Sequence, residues 1–445
     1  MSPPANRLLD APVLPTLARL SAPGLLLVVF QSAVSIADTH YVGRLGTAPL
    51  AGIALVFPLL MLLQMTSAGA MGGGVSSAIA RALGAGDLAR ARSLVVHALV
   101  IAVGMAMLFS LALLALGPAI YRLLGGEGEA LAYALDYSNL VFAGAITIWL
   151  ANTFASMLRG SGNTLVPALA LVAAACLHIP LSGALTLGWG PFPALGIRGA
   201  AIAYVISGVV ATLVSAAYVL RGRLCPTRAD LAMAAQRFAD ILRVGLVSSL
   251  SALQTVLTAV VLTGLVGRYG VEALAGYGVG VRLELLQVPV AFAIGQALVV
   301  MVGTNVGAGN AVRAKRIAFT GAAMAAGFCL LIGATVVLFP RLWVGLFSSD
   351  PLVLDAGSAY LRTVGPFYPF MGMGIALYFA SQGAARVVWP VLAGTARLVF
   401  VVTAGFAAVS IGGTLVWLYA VISAGLVIWG GTTFLAVRAT DWSRP

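Results

Sequence analysis

Helix-length runs dominated by Leu, Ala, Val, Gly and Ile alternate along this chain with short intervals where Arg, Asp, Asn and Gly concentrate. About 20 mostly apolar residues in helical form cross the roughly 30 Å hydrocarbon core of a bilayer. About twelve segments meet that length, near 21–43, 50–74, 94–118, 134–157, 164–188, 196–220, 243–267, 273–302, 315–339, 359–382, 388–410 and 413–437. None shows the alternating ten-residue pattern of an outer-membrane barrel strand. The pattern predicts an all-α integral membrane protein.

The polar intervals repeat. GRLGTAPLAG at 43–52 returns as GRYGVEALAG at 267–276, LGAGDLARAR at 83–92 as VGAGNAVRAK at 306–315, and GSGNTLVP at 160–167 as GAARVVWP at 383–390. The offset stays at 223 or 224, so the chain is a tandem duplication with six predicted helices per copy. An even number of spans returns the second copy to the side on which the first began. The copies are therefore parallel repeats about an axis along the membrane normal, an arrangement that binds cargo near the midplane. The expected division is an N-terminal six-helix lobe over 1–220, a linker over 221–242 and a C-terminal six-helix lobe over 243–445. The charged linker interval has room for an amphipathic surface helix.

Composition agrees with a membrane protein and removes other classes. Of 445 residues, 61% are hydrophobic and 9% charged, with a mean hydropathy of +1.05, a balance outside the soluble globular range. The net charge of +12 invites a nucleic-acid reading, but the placement of the cations decides against it. With the N-terminus in the cytoplasm, seventeen Lys and Arg residues fall on the inner side, from Arg7 to Arg444, against six in outer loops. That is the positive-inside bias, and it predicts a multi-pass protein of the inner or plasma membrane with both termini cytoplasmic. The first twenty residues, with Pro3, Pro4 and Pro12, show no cleavable signal peptide. Cys176, Cys225 and Cys329 form no disulfide or metal spacing, and His40, His97 and His178 form none either. The GAGD and GAGN intervals read as tight turns, since no strand precedes them and no GKS or GKT follows.

Only two of thirteen acids, Asp38 and Glu284, lie deep in predicted spans. A carboxylate at the bilayer centre costs about 2.5–3.5 kcal/mol on insertion scales, so it is expected to face protein or water and to serve function. Gln31, Ser35 and Asp38 recur at i, i+4 and i+7 and share one helix face. Asp38 is a candidate ion-coupling acid; the alternative is a structural hydrogen bond with Asn152 or another neighbour. Glu284 is a second ion-coupling candidate, set against a structural ion pair with Arg397; Arg282 is about 200° away around the helix and need not pair with it. Gln31, Ser35, Gln64, Asn152, Gln254 and Gln287 are candidate substrate contacts, although single polar side chains in membrane helices commonly bridge neighbours. No HExxH or serine-histidine-acid arrangement is present, so an enzyme is not expected.

DTHYVGRLG with PLAG, the paired GAGD and GAGN intervals, and RGSGNTLVP together resemble the multidrug and toxic compound extrusion (MATE) family, from about Arg19 to Gly413. The resemblance implies twelve helices in two parallel lobes and cation-driven export of organic, often cationic, compounds. Asp38 matches the first-helix aspartate that proton-coupled members use. The acids of the sodium-coupled branch align with Thr255 and Met371, and Ser182 of HIPLS stands where many relatives have asparagine. The expected function is therefore an antiporter that exports amphipathic or cationic small molecules in exchange for protons. Sodium is the less favoured ion, no cofactor or metal is expected, and the protein is expected to act as a monomer in the bilayer. The competing readings are a sodium-coupled exporter, or a lipid-intermediate flippase, which would need several intramembrane arginines where Arg282 and Arg397 are at most two.

Overall fold

The computed structural model describes residues 8–443, and every regular element among them is helical. Arg7, Arg444, Pro3 and Pro4 lie outside the described residues. In chain order the helices are α1 (Val13–Gly43); α2, in which Thr47–Gln64 continues through a π-helical turn, Met65–Met71, into Gly72–Gly84; and α3 (Leu88–Leu123). Next come α4, broken at Gly144 into Gly128–Ala143 and Ala145–Gly160; α5 (Leu165–Leu187); and α6 (Ile197–Arg221). The second copy follows as α7 (Ala235–Gly267), α8 (Val271–Gly307), α9 (Ala311–Leu338), α10, α11 (Val388–Ser410) and α12 (Leu415–Ala439). Here α10 is split into Pro351–Val364 and Tyr368–Gly383 by a 3₁₀ turn at Gly365–Phe367.

Ten of the described helices are long and apolar enough to cross a membrane, and the two halves of α4, bent by 49°, make an eleventh if counted as one span. The segment predicted near 359–382 is the split α10. Pro366 lies in that turn and supplies no N–H to continue the i to i−4 ladder of the first half. Among the described residues the linker holds no surface helix beyond the four-residue turn Arg228–Leu231, because Pro226 interrupts it and α7 takes up the chain from Ala235.

The duplication is visible in the helix ends. Gly43 closes α1 and Gly267 closes α7; Gly84 and Gly307 close α2 and α8; Gly160 and Gly383 close α4 and α10. The turns recur with the same backbone. Gly86 and Gly309 both have φ of 76°, in the left-handed region that glycine enters without steric cost. At the corresponding turns after α4 and α10, however, Gly162 (φ 90°) is answered by Ala385 (φ 56°).

Contacts divide the chain into two compact units, one spanning Ala22–Leu246 and the other joining the described residues up to Ser21 to those from Val247 onward. The first unit is centred on buried Leu63, Ile79, Leu94, Phe142, Trp149 and Met157. The second holds one cluster around Tyr360, Tyr368, Leu418 and Tyr419, and another in which Leu17 packs with Met301 and Trp442. Within that second unit the Asn305 amide donates to the Leu8 carbonyl at 3.1 Å. Elsewhere Leu111, Leu213, Leu331 and Leu435 stand exposed on their helices, which suits contact with acyl chains, because lipid tails are as apolar as leucine itself.

Candidate functional site

In the Ala22–Leu246 unit, Asp38 is held from α5. His178 Nε2 lies 2.9 Å from both carboxylate oxygens, and the Ser182 hydroxyl donates to Oδ1 at 2.6 Å. His178 and Ser182 are four residues apart, hence stacked on one helix face, and both are buried. Pro180 sits between them inside the helix. Asp38 itself is partly open, its side chain retaining 16% of its accessible surface. Among the described residues its ion-pair partner is His178, a side chain that carries charge only when protonated.

Close packing sets this geometry. One helical step beyond Asp38, Tyr41 meets Trp189 edge to face at 5.3 Å. Both rings lie against Gly183, where a Cβ would come within 2.6 Å of Trp189 and 2.9 Å of Tyr41. The next helix is drawn in by Gly199, whose Cβ position is 2.3 Å from the Leu185 carbonyl oxygen, too close for any side chain. Glycine at these two positions lets α1 and α6 approach α5 directly.

From His178 a chain of polar groups crosses the unit. Its ring meets Tyr204 of α6 edge to face at 6.0 Å. The Tyr204 hydroxyl accepts from Gln64 Nε2 at 2.9 Å, and Gln64 Oε1 accepts from Asn152 Nδ2 at 3.0 Å. Asn152 Nδ2 also donates to the Ser67 hydroxyl at 2.8 Å. Ser67 belongs to the π-turn of α2, where the Gly72 N–H bonds its carbonyl five residues back. The wider turn, a form frequent at functional sites, carries Ser67 to Asn152. Tyr137 of α4 is buried within electrostatic reach of both Asp38 and Tyr204.

Of the predicted residues, Asp38, Gln64 and Asn152 therefore belong to one network, but Asn152 bonds Gln64 and Ser67 rather than Asp38. Gln31 and Ser35 lie on α1 outside these bonds, and both are exposed. Sequence reasoning weighed His178 only as a metal ligand and passed over its role as a carboxylate partner. The signal available was HIPLS itself, two polar side chains four residues apart in an apolar span.

The second unit is built differently at the matching places. Leu262 corresponds to Asp38, Val401 to His178 and Gly405 to Ser182 under the repeat offset. Leu262 and Val401 are buried in an apolar cluster with Leu265, against which Gly405 packs. The acid here is Glu284 of α8, which accepts a hydrogen bond from the Tyr360 hydroxyl of α10. Arg397 of α11 interacts electrostatically with Glu284 at longer range than a direct ion pair, its guanidinium lying 5.3 Å from the Trp429 ring centroid. Arg282 points elsewhere and stacks on Phe347 at 5.0 Å. Gln287 bonds the Leu283 carbonyl of its own helix, and Gln254 donates to Thr395 at 2.7 Å. Thr255 is exposed and bonds back to Ser251, while Met371 is buried.

A profile of the MatE family matches residues 23–183 and 248–409, once on each copy of the repeat. The chain belongs to the MATE family. It is a multi-pass membrane transporter and not an enzyme. Among its relatives is the FAD transporter of Shewanella oneidensis, 29% identical over 377 residues, covering 84% of this chain and 82% of that one. Another is the probable multidrug resistance protein NorM of Thermotoga maritima, 26% identical over 381 residues, covering 84% and 81%. The crystal structure of a MATE protein in the straight conformation superposes with a TM-score of 0.89 at 27% identity, covering 98% of each chain. A MOP superfamily transporter from Pyrococcus furiosus superposes with a TM-score of 0.87 at 27% identity, covering 99% of this chain and 100% of that one.

Proposed function

We propose that this MATE transporter exports amphipathic or cationic small molecules in exchange for protons by alternating access, with Asp38 as the coupling acid. The observation that carries the reading is the setting of Asp38, a partly open carboxylate inside a membrane span whose ion-pair partner is a titratable histidine. A permanent cation there would hold the carboxylate ionised throughout the cycle. His178 instead lets the pair gain and lose a proton. A proton on Asp38 occupies one of the acceptor sites now used by His178 and Ser182. Protonation and the packing of α1 on α5 are thereby linked.

Ionised Asp38 attracts a cationic cargo, and Gln31 and Ser35, on the same helix face, offer it polar contacts. Protonation from outside removes the attraction and releases the cargo. Glu284 serves as a second ion-coupling acid, with Tyr360 as its hydrogen-bond donor. Gln64 and Asn152 tie the Asp38 side of the unit together. Gln254 and Gln287 are the cargo contacts of the second unit in this reading; among the described residues their buried carbonyl oxygens have no protein partner. Thr255 and Met371, in place of acids, favour protons over sodium. The bias of seventeen cations to six supports a cytoplasmic placement of both termini and of the 221–243 interval in the plasma or inner membrane, where the protein is proposed to act as a monomer.

The test is efflux from proteoliposomes under proton and sodium gradients imposed separately, with a panel including a lipophilic cation and flavin adenine dinucleotide, the molecule named for the Shewanella relative. Proton-driven efflux of the cation is expected. Efflux driven by sodium at equal pH, with a proton carrier present, would overturn the proposed coupling.

A further inference from the structure

The interval between α6 and α7 is pinned flat along the Ala22–Leu246 unit. Arg92 Nε donates to the Arg223 carbonyl at 3.0 Å, Leu224 is buried in that unit's core, and the Ala234 N–H donates to His97 Nε2 at 3.0 Å. His97 is fully buried and its Nδ1 is bonded to the Ser93 carbonyl at 2.7 Å, so both ring nitrogens are committed. Between these ties Thr227 and Asp230 close a capping box on the turn Arg228–Leu231.

What this strap shows outward is uneven. Leu231 and Met233 are 54% and 56% exposed, although the buried core of the unit is adjacent. Its acids are occupied internally: Asp230 bonds Thr227, and Asp240 at the start of α7 pairs with Arg90 at 2.7 Å. Arg221, Arg223 and Arg228 are exposed. The surface thus combines two uncovered apolar side chains with cations whose neighbouring acids are already paired. Because a short strap joins two helices long enough to span a membrane, it cannot move far from the bilayer surface.

We infer that the strap is an interfacial binding element for a bilayer surface carrying anionic headgroups. Leu231 and Met233 enter the boundary between headgroups and acyl chains, and Arg221, Arg223 and Arg228 take the negative charge. Apolar area and basic charge add in such contacts, and the electrostatic part falls off within a Debye length. The contact lies at the lead-in to α7, so the charge of the leaflet bears on how that helix enters the membrane. The inference does not depend on the coupling ion or the cargo.

The test uses the full chain with Met233→Cys and with Cys176, Cys225 and Cys329 replaced by alanine, labelled with an environment-sensitive fluorophore. The labelled protein is placed in nanodiscs of phosphatidylcholine alone or mixed with phosphatidylglycerol. Blue-shifted emission quenched by brominated acyl chains is expected in the anionic discs, weakened by salt and by Arg223→Gln with Arg228→Gln. Each arginine removed should weaken the contact roughly fivefold. Aqueous emission in both lipids would overturn the inference. So would the same shift in detergent without lipid, or a shift indifferent to lipid charge and to both arginines. Hydrogen exchange over 227–234 in the chain without substitutions gives a second readout: protection should rise in anionic discs, and equal exchange in both counts against the inference.

Discussion

Tyr360 donates its hydroxyl to Glu284 in one unit, and its counterpart under the repeat offset, Tyr137, lies within electrostatic reach of Asp38 in the other. The duplication kept a buried tyrosine at one place in each copy and moved the acid: Asp38 is on α1, the first helix of its copy, whereas Glu284 is on α8, the second. The apolar cluster at Leu262, Val401 and Gly405 fills the position that Asp38, His178 and Ser182 occupy in the first copy. The two units are thus related in backbone and different in chemistry, which leads to separate expectations for each.

Asp38→Asn keeps the shape and removes the titration, so proton-driven efflux should be abolished at normal expression and folding. His178→Gln removes a charge-assisted bond of about 1.5–3 kcal/mol, which corresponds to a roughly tenfold to hundredfold loss. Its efflux should fall by that order and its pH profile should move. Leu262→Ile, at the matching apolar place, should change either readout little. Efflux by Asp38→Asn at the parental rate and pH dependence would transfer the coupling role to Glu284.

Gly183→Ala places a Cβ within 2.6 Å of Trp189 and 2.9 Å of Tyr41. Overpacking of this kind costs about 1–3 kcal/mol, and here the strain falls on the contact that sets α1 against α5. Slower efflux is expected together with a lowered melting temperature in detergent. A parental melting temperature would show that Trp189 swings aside freely.

Ala385 holds a φ of 56° where the first copy has Gly162. Left-handed geometry costs an alanine about 1–2 kcal/mol, while glycine adds back about 0.4–1 kcal/mol of unfolded-state entropy. The strain term is the larger, so Ala385→Gly should stabilise the protein by a few tenths to about 1 kcal/mol. Thermal unfolding in detergent reads this directly, and a loss of stability would contradict the strain.

Bonds from the Thr227 hydroxyl and backbone N–H hold the Asp230 carboxyl below the usual carboxylate range. A depressed folded-state value means that its stabilisation is present above the unfolded value of about 3.9 and is lost as pH falls through the folded value. Asp230→Asn should therefore melt below the parent near neutral pH, with the gap closing only in acid below about pH 4. A gap independent of pH would remove the carboxylate from the account.

A thiol reagent that cannot cross membranes should miss half-buried Cys225 in intact cells and reach it in inverted vesicles. Labelling from outside at the rate of an external control would reverse the proposed orientation.

The membrane class, the duplication and the presence of an acid in the first span were legible in the residues alone. Each depends on local matters: a run long enough to satisfy its own backbone hydrogen bonds in lipid, motifs such as GRLG and GRYG at a fixed offset, and a charge that lipid does not tolerate without a purpose. The split of α10 and the π-turn of α2 were less legible, since hydropathy measures composition and is blind to the phase of the backbone. What Asp38 bonds was decided only by tertiary structure. His178 is 140 residues away; HIPLS marks a polar face on its span but does not say which residue that face meets, which is set once Gly183 and Gly199 let α1 and α6 close on α5. Helix periodicity fixes which side chains share a face, but which face meets which neighbour depends on the packing of whole helices, and that packing paired the acid with the histidine.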